Sequence, residues 1–145
     1  MVKGTTMTII AAVTDSKEGR QALVEAVAEA KQLNTDLVAV NLGSTKLDVT
    51  DLDTDGVTVA VVDRRREDKE DSADAVLDEI AARKATRLVI GVKRRRPVGK
   101  ALLGSLSQRL LLNSPVPVLA VKLPEGELPS SSFDNLPAAM RRVTG

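Results

Sequence analysis

Five short, continuous apolar runs punctuate the chain: residues 7–13 (MTIIAAV), 37–42 (LVAVNL), 57–62 (VTVAVV), 88–92 (LVIGV) and 116–121 (VPVLAV). The first run, short and continuous without polar alternation, is expected of a strand buried on both faces, and 37–42 reads as a second buried strand. Between the runs the period changes. Ala22, Leu23, Ala26, Val27, Ala30 and Leu33 recur at helical spacing, with Glu25, Glu29 and Lys31 on the opposite face. This predicts an amphipathic helix over 17–33. Thr14, Asp15 and Ser16 stand before it, and any of the three suits a helix cap; Asn34 is its stop. Ala73, Val76, Leu77, Ile80 and Ala81 mark a second helix ending near Lys84. Leu103, Leu106, Leu110 and Leu111 mark a third, whose leucines read as core.

Strands alternating with helices imply right-handed crossovers and a parallel sheet. Residues 43–56 are polar and rich in Asp and Thr, with no clean period, and read as a loop with at most a short helical turn. Residues 64–69 form a highly charged connection, in which Arg64 to Arg66 read as a solvated charge run. Pro117 falls inside the last strand, removes one ladder donor, and so places that strand at an edge or pairs it on one side only. Residues 124–145 hold three prolines and the run Ser130 to Ser132. They read as a poorly ordered tail, with 136–143 as a frayed end or a short basic helix formed on contact with something else.

The chain has 145 residues, which suits one domain. Its 43% apolar content is almost wholly aliphatic, since Phe133 is the single aromatic residue, so the core must be Val, Leu, Ile and Ala. There is no histidine and no cysteine. That excludes disulfides, Cys/His zinc sites, thiol nucleophiles, imidazole bases and any Ser-His-Asp triad. With a net charge of +1 the chain lacks the charge excess of a nucleic-acid coating protein, and it has no aromatic residues in the domain on which single strands would stack. No apolar run approaches the ~20 residues of a membrane span. The start, MVKGTTMT, has no signal-type apolar region, so the expected location is cytoplasmic.

The chemistry concentrates in 91–112, GVKRRRPVGKALLGSLSQRLLL. The segment leaves a buried strand and enters a helix. Helix N-termini carry unpaired N–H groups and partial positive charge, which attract anions. Gly91, Gly99 and Gly104 permit close backbone approach and positive φ. Ser105 adds a hydroxyl, and Lys93, Arg94, Arg95, Arg96 and Lys100 add charge. The segment reads as an anion loop holding the phosphates of a nucleotide. A turn plus an N-cap is the plainer reading of Gly91, Gly104 and Ser105, and a solvated loop that of the arginines.

At this point the chain resembles the universal stress protein family, over roughly residues 8–122. ATP-binding members carry G-x-x-G-x9-G-[S/T] after the fourth strand. Gly91 matches the first glycine and Gly104-Ser105 the final pair; Arg94 stands at the second glycine. AAVTDSKEGRQAL is similar to the family's first strand-to-helix turn, with Ser16 in register. The family's aspartate two residues before that serine corresponds to Thr14, and Asp15 sits one place later, where side-chain direction along a strand reverses. The resemblance implies an α/β fold: a five-stranded parallel sheet of order 3-2-1-4-5 with helices on both faces, Rossmann-like and akin to the adenine nucleotide alpha hydrolases. It makes 7–123 the domain and 124–145 the tail.

In that order the first and fourth strands are neighbours whose crossovers leave on opposite sides, which is where open α/β sheets bind ligands. The expected nucleotide contacts are Val13, Thr14, Asp15, Val40, Ile90, Gly91, Arg94, Gly99, Lys100, Gly104, Ser105 and Leu106, with the backbone at Val40 against the adenine. The ligand would be ATP or AMP, with Mg2+ on the phosphates. The resemblance further implies a homodimer through the last strand, 116–121, and a protein partner of unspecified identity. The expected role is a nucleotide-binding regulator of the stress response, with no dedicated catalysis and at most slow ATP hydrolysis. The alternative is a stress-response partner protein that no longer binds nucleotide.

Overall fold

The computed structural model describes residues 7–64, 71–92 and 104–123. The chain runs β1 (Thr8–Val13), α1 (Lys17–Leu33), β2 (Asp36–Asn41), β3 (Val59–Asp63), α2 (Ser72–Arg83), β4 (Arg87–Gly91), α3 (Ser105–Asn113) and β5 (Val118–Val121). All five strands are parallel, in the order β3-β2-β1-β4-β5. The carboxyl ends of β1, β2 and β4 therefore lie side by side at one edge of the sheet.

Strand alternation sorts the core into two layers. Ile10 and Ala12 of β1, with Val38, Val40, Leu88 and Ile90, meet Ala73, Val76 and Ile80 of α2 and Leu110 of α3. Ile9, Ala11 and Val13, with Leu37, Ala39 and Val89, meet Ala22, Leu23, Ala26, Val27 and Ala30 of α1. The central strand is thus buried on both faces, as its unbroken apolar run requires. α1 starts at Ser16, whose hydroxyl accepts from the Gly19 N–H, and stops at Asn34 in the left-handed region, φ 57°.

The connection from β2 to β3 contains no helix, in keeping with its lack of period. It still covers the sheet. Leu47, Val49 and Leu52 pack onto the α1 layer, completing a face that a single helix leaves half covered. Arg20 of α1 holds this segment by donating to the Asp48 carbonyl at 2.9 Å and the Asp51 carboxylate at 2.5 Å. Lys31 pairs with Asp53 at 3.2 Å.

Three features depart from the expectation. β3 begins at Val59 rather than 57 and is an edge strand, with Ala60 and Val61 exposed. β5 begins at Val118: Pro117 precedes the strand and serves it through its carbonyl, which accepts from the Leu88 N–H at 3.0 Å. α3 is anchored by fewer leucines than its composition implied. Leu110 is buried and Leu106 partly so, four residues apart on one side of the helix, whereas Leu111 is 37% exposed and Leu112 82%. A helix lying on one layer buries one stripe, and Leu111 stands about 100° away from Leu110.

α2 and α3 are joined at their ends by charge. Asp71 caps α2 by accepting from the Ala73 N–H at 2.8 Å and also accepts from Arg109 of α3, which reaches Asp74 as well. The Ala73 N–H first, and then the Arg109 hydrogen bond, hold the Asp71 carboxyl below its ordinary value of 3.8. Asp48 and Asp53 are lowered similarly, mainly by the N–H groups of Thr50 and Asp55. A carboxylate with a depressed folded pKa stabilises the fold above its unfolded pKa, and that contribution disappears as pH falls through the folded value. Loss of stability is therefore expected below about pH 4. Asp71→Asn, which keeps a capping oxygen but no charge, should make that acid limb shallower in chemical denaturation measured at stepped pH.

A candidate nucleotide cleft at the ends of the first and fourth strands

β1 feeds α1 on one face of the sheet and β4 leads to α3 on the other, so the chain parts between their ends. The parting is a cleft of about 180 Å³. It is lined by the apolar residues Ala12, Ile90, Leu106 and Leu110, the polar residues Thr14, Ser16, Glu18 and Ser107, and the glycines Gly91 and Gly104. A wider depression of about 390 Å³ adjoins it, lined by Val13, Asp15, Arg20, Lys46, Leu47 and neighbouring aspartates. Thr14 and Ser16 line both.

The strand-to-helix turn is tightly built. The Thr14 and Ser16 hydroxyls are 2.9 Å apart in a hydrogen bond, while Ser16 also caps α1. A Cβ on Gly19 would lie 2.5 Å from the Thr14 hydroxyl and 2.7 Å from its backbone nitrogen. The first turn of α1 also presses on β4: a Cβ on Gly91 would lie 2.5 Å from the Glu18 carbonyl carbon and nearer still to its oxygen. Gly91 is thus required by contact with α1. Gly104 differs, because nothing lies within 4 Å of a Cβ placed there. At Gly91 and Gly104 the anticipated positive φ is not used. Gly104 is extended at φ −68°, ψ 166°, and Gly56, in the β2–β3 loop, is the one described glycine with positive φ.

Thr14 continues the parity of Ala12 and enters the cleft, whereas Asp15 follows Val13 to the other side. There its carboxylate accepts from the Ser44 N–H at 3.0 Å and the Ser44 hydroxyl at 2.8 Å, tying the end of β1 to the loop after β2. Asn41, buried at the end of β2, accepts from the Gly43 N–H at 3.0 Å and donates to the Thr45 carbonyl at 2.8 Å. The loop 43–45 is therefore held from two sides.

Of the residues expected from sequence, Thr14, Ile90, Gly91, Gly104 and Leu106 come together along the cleft. Val13 and Asp15 line the adjoining depression. Val40 is fully buried one residue before the end of β2. Ser105 is exposed at the start of α3 and gives no side-chain cap. Arg94, Gly99 and Lys100 lie outside the described residues, as do Leu103 and the tail at 124–145. The structure adds Glu18 and Ser107 to the cleft; the Ser107 hydroxyl reaches the Gly91 carbonyl at 3.5 Å. No motif marks either residue: Glu18 lies in the first turn of α1 and Ser107 in that of α3, and the cleft brings the two turns together.

Among the described residues no helix is long and apolar enough to cross a membrane, and no group of three or more Asp, Glu, His or Cys side chains is placed to hold a metal ion.

Residues 46–122 match the sequence profile described as the universal stress protein family. The chain belongs to that family. It is 36% identical to a universal stress protein of Mycolicibacterium smegmatis, over 72% of this chain and 88% of the relative. Among solved structures it resembles a universal stress protein in complex with cAMP, with TM-score 0.57, 18% identity, and coverage of 82% of this chain and 98% of that one. It also resembles the universal stress protein from Archaeoglobus fulgidus in complex with dAMP, with TM-score 0.53, 19% identity, and coverage of 80% and 98%. The family profile begins at residue 46, so Gly91 to Leu106 fall inside the match, while the β1–α1 turn and Val40 precede it.

Proposed function

We propose that this universal stress protein binds an adenine nucleotide in the β1–β4 cleft and acts as a nucleotide-dependent regulator in the stress response. One observation carries the reading. α1 and α2 are capped by the side chains of Ser16 and Asp71, but no side chain caps α3, and Gly104, Leu106 and Ser107 at its start line the cleft. An uncapped helix N-terminus at a switch point suits phosphate. The cAMP and dAMP complexes of the two structural neighbours support an adenine nucleotide as the ligand class. ATP and AMP are the ligands of this reading, and magnesium would arrive with the phosphates. Hydrolysis would be slow at most. β5, at the sheet edge with Ala120 exposed, would pair with its copy in a homodimer, since an open edge invites pairing. The nucleotide would set the surface offered to a protein partner.

Calorimetric titration with ATP and AMP, with and without magnesium, tests the reading. Binding is expected in the parent. Gly104→Leu, which has open space at its Cβ, should weaken it at least about tenfold, a loss of about 1.4 kcal/mol. No heat at millimolar ATP with magnesium would refute nucleotide binding. It would favour a partner protein acting without nucleotide, a role favoured by the engagement of Asp15 with Ser44 rather than with the cleft. Recovery of ATP binding in Arg94→Gly would then support that second role.

A further inference from the structure

Glu18 is the single ionisable residue among the described residues lining the β1–β4 cleft, and with its Cβ against Gly91 its carboxylate is within side-chain reach of the cleft. It is half-buried, makes no hydrogen bond or ion pair among the described residues, and stands in the first turn of α1 with its Cβ against Gly91. Its cleft neighbours Thr14, Ser16 and Ser107 are neutral hydroxyls, so no described cation neutralises it inside the cleft. Arg20, the nearest arginine on α1, is committed to Asp48 and Asp51.

A carboxylate beside a phosphate site repels the ligand in proportion to the ligand's charge. We infer that Glu18 is a selectivity residue, biasing this cleft toward nucleotides of low charge, a cyclic or simple monophosphate, and against polyphosphates. The inference rests on the nucleotide reading of the cleft. The carboxylate also favours the helix dipole of α1, which explains its tolerance in the fold but not its unpaired position in the cleft.

The experiment is titration of the full chain with cAMP, AMP and ATP in magnesium-free buffer, for the parent, Glu18→Gln and Glu18→Asp. One carboxylate about 6 Å from the ligand in a water-exposed cleft is worth about threefold in affinity per unit of ligand charge. Glu18→Gln is therefore expected to tighten cAMP about threefold, AMP about tenfold and ATP thirtyfold or more. The gains should shrink as salt is raised. Glu18→Asp should keep the parent's order of affinities, and both variants should melt within a few degrees of the parent. An equal gain for all three ligands, no gain, or weaker binding in Glu18→Gln would overturn the inference while leaving nucleotide binding intact; weaker binding would place Glu18 on the ribose hydroxyls instead. Failure of all three nucleotides to bind parent and variants alike would overturn the nucleotide reading itself, and this inference with it.

Discussion

Gly91→Ala is expected to destabilise the domain by about 3 kcal/mol, at the upper end of what overpacking costs. The added methyl carbon would stand 2.5 Å from the Glu18 carbonyl carbon, closer than any real contact of that kind. The obstacle is backbone in the first turn of α1, so no side-chain rotation relieves it. That turn is itself pressed against Thr14 through Gly19, which blocks retreat along the strand. Either α1 tilts away from the sheet, opening the layer formed by Leu23, Ala26 and Val89, or β4 shifts against β1. Urea denaturation measures the loss. Gly104→Ala is the matched control: it lies thirteen residues on in the same motif, has open space and an extended backbone, and should change stability by less than about 0.5 kcal/mol. Equal effects at the two glycines would show that the packing of α1 on β4 is not what Gly91 serves.

Leu110→Ala is expected to cost 2–5 kcal/mol, the range found for truncating a buried leucine. Leu110 is 1% exposed and is the one buried residue of α3. It packs among the residues of α2 and the strands, and it also lines the cleft. Truncation leaves a cavity at the joint between core and site. α3 would retain the Arg109 pairs to Asp71 and Asp74, which are exposed and contribute little. Nucleotide affinity should therefore fall together with stability, because Gly104 and Leu106 are carried by the helix that Leu110 anchors. Leu112→Ala, at 82% exposure, should leave both unchanged. A stable Leu110→Ala protein with parental affinity would show that α3 is held by something other than this side chain.

The two substitutions separate what is legible in a linear sequence from what is not. The leucines of α3 are interchangeable by composition and nearly so by spacing; only contact with the sheet distinguishes Leu110 from Leu111. The glycines at 91 and 104 belong to one motif and invite one explanation, close approach of phosphate. In the folded chain the first is required by a neighbouring helix, and the second leaves space. Likewise Thr14 and Asp15 are adjacent and both polar, yet pleating sends one into the cleft and the other to Ser44. Glu18 and Ser107 carry no motif signal, because their importance depends on two helices that meet from opposite faces of the sheet.

The sequence by itself determined the layers. Apolar runs of strand length alternating with helical periods determine a parallel sheet covered on both faces, since only that arrangement buries continuous Val, Ile and Ala runs while pairing their backbone groups. It also pointed to where a cleft would open, because the Gly91–Ser105 segment joins a strand end to a helix start. Tertiary structure alone decided what Gly91 and Gly104, at the two ends of that segment, meet. Which residues face one another across β1 and β4, which glycine lacks room for a methyl group, and which acidic residue borders the cleft without a partner all depend on contacts between residues far apart in the chain, and these exist only once the helices have packed on the sheet.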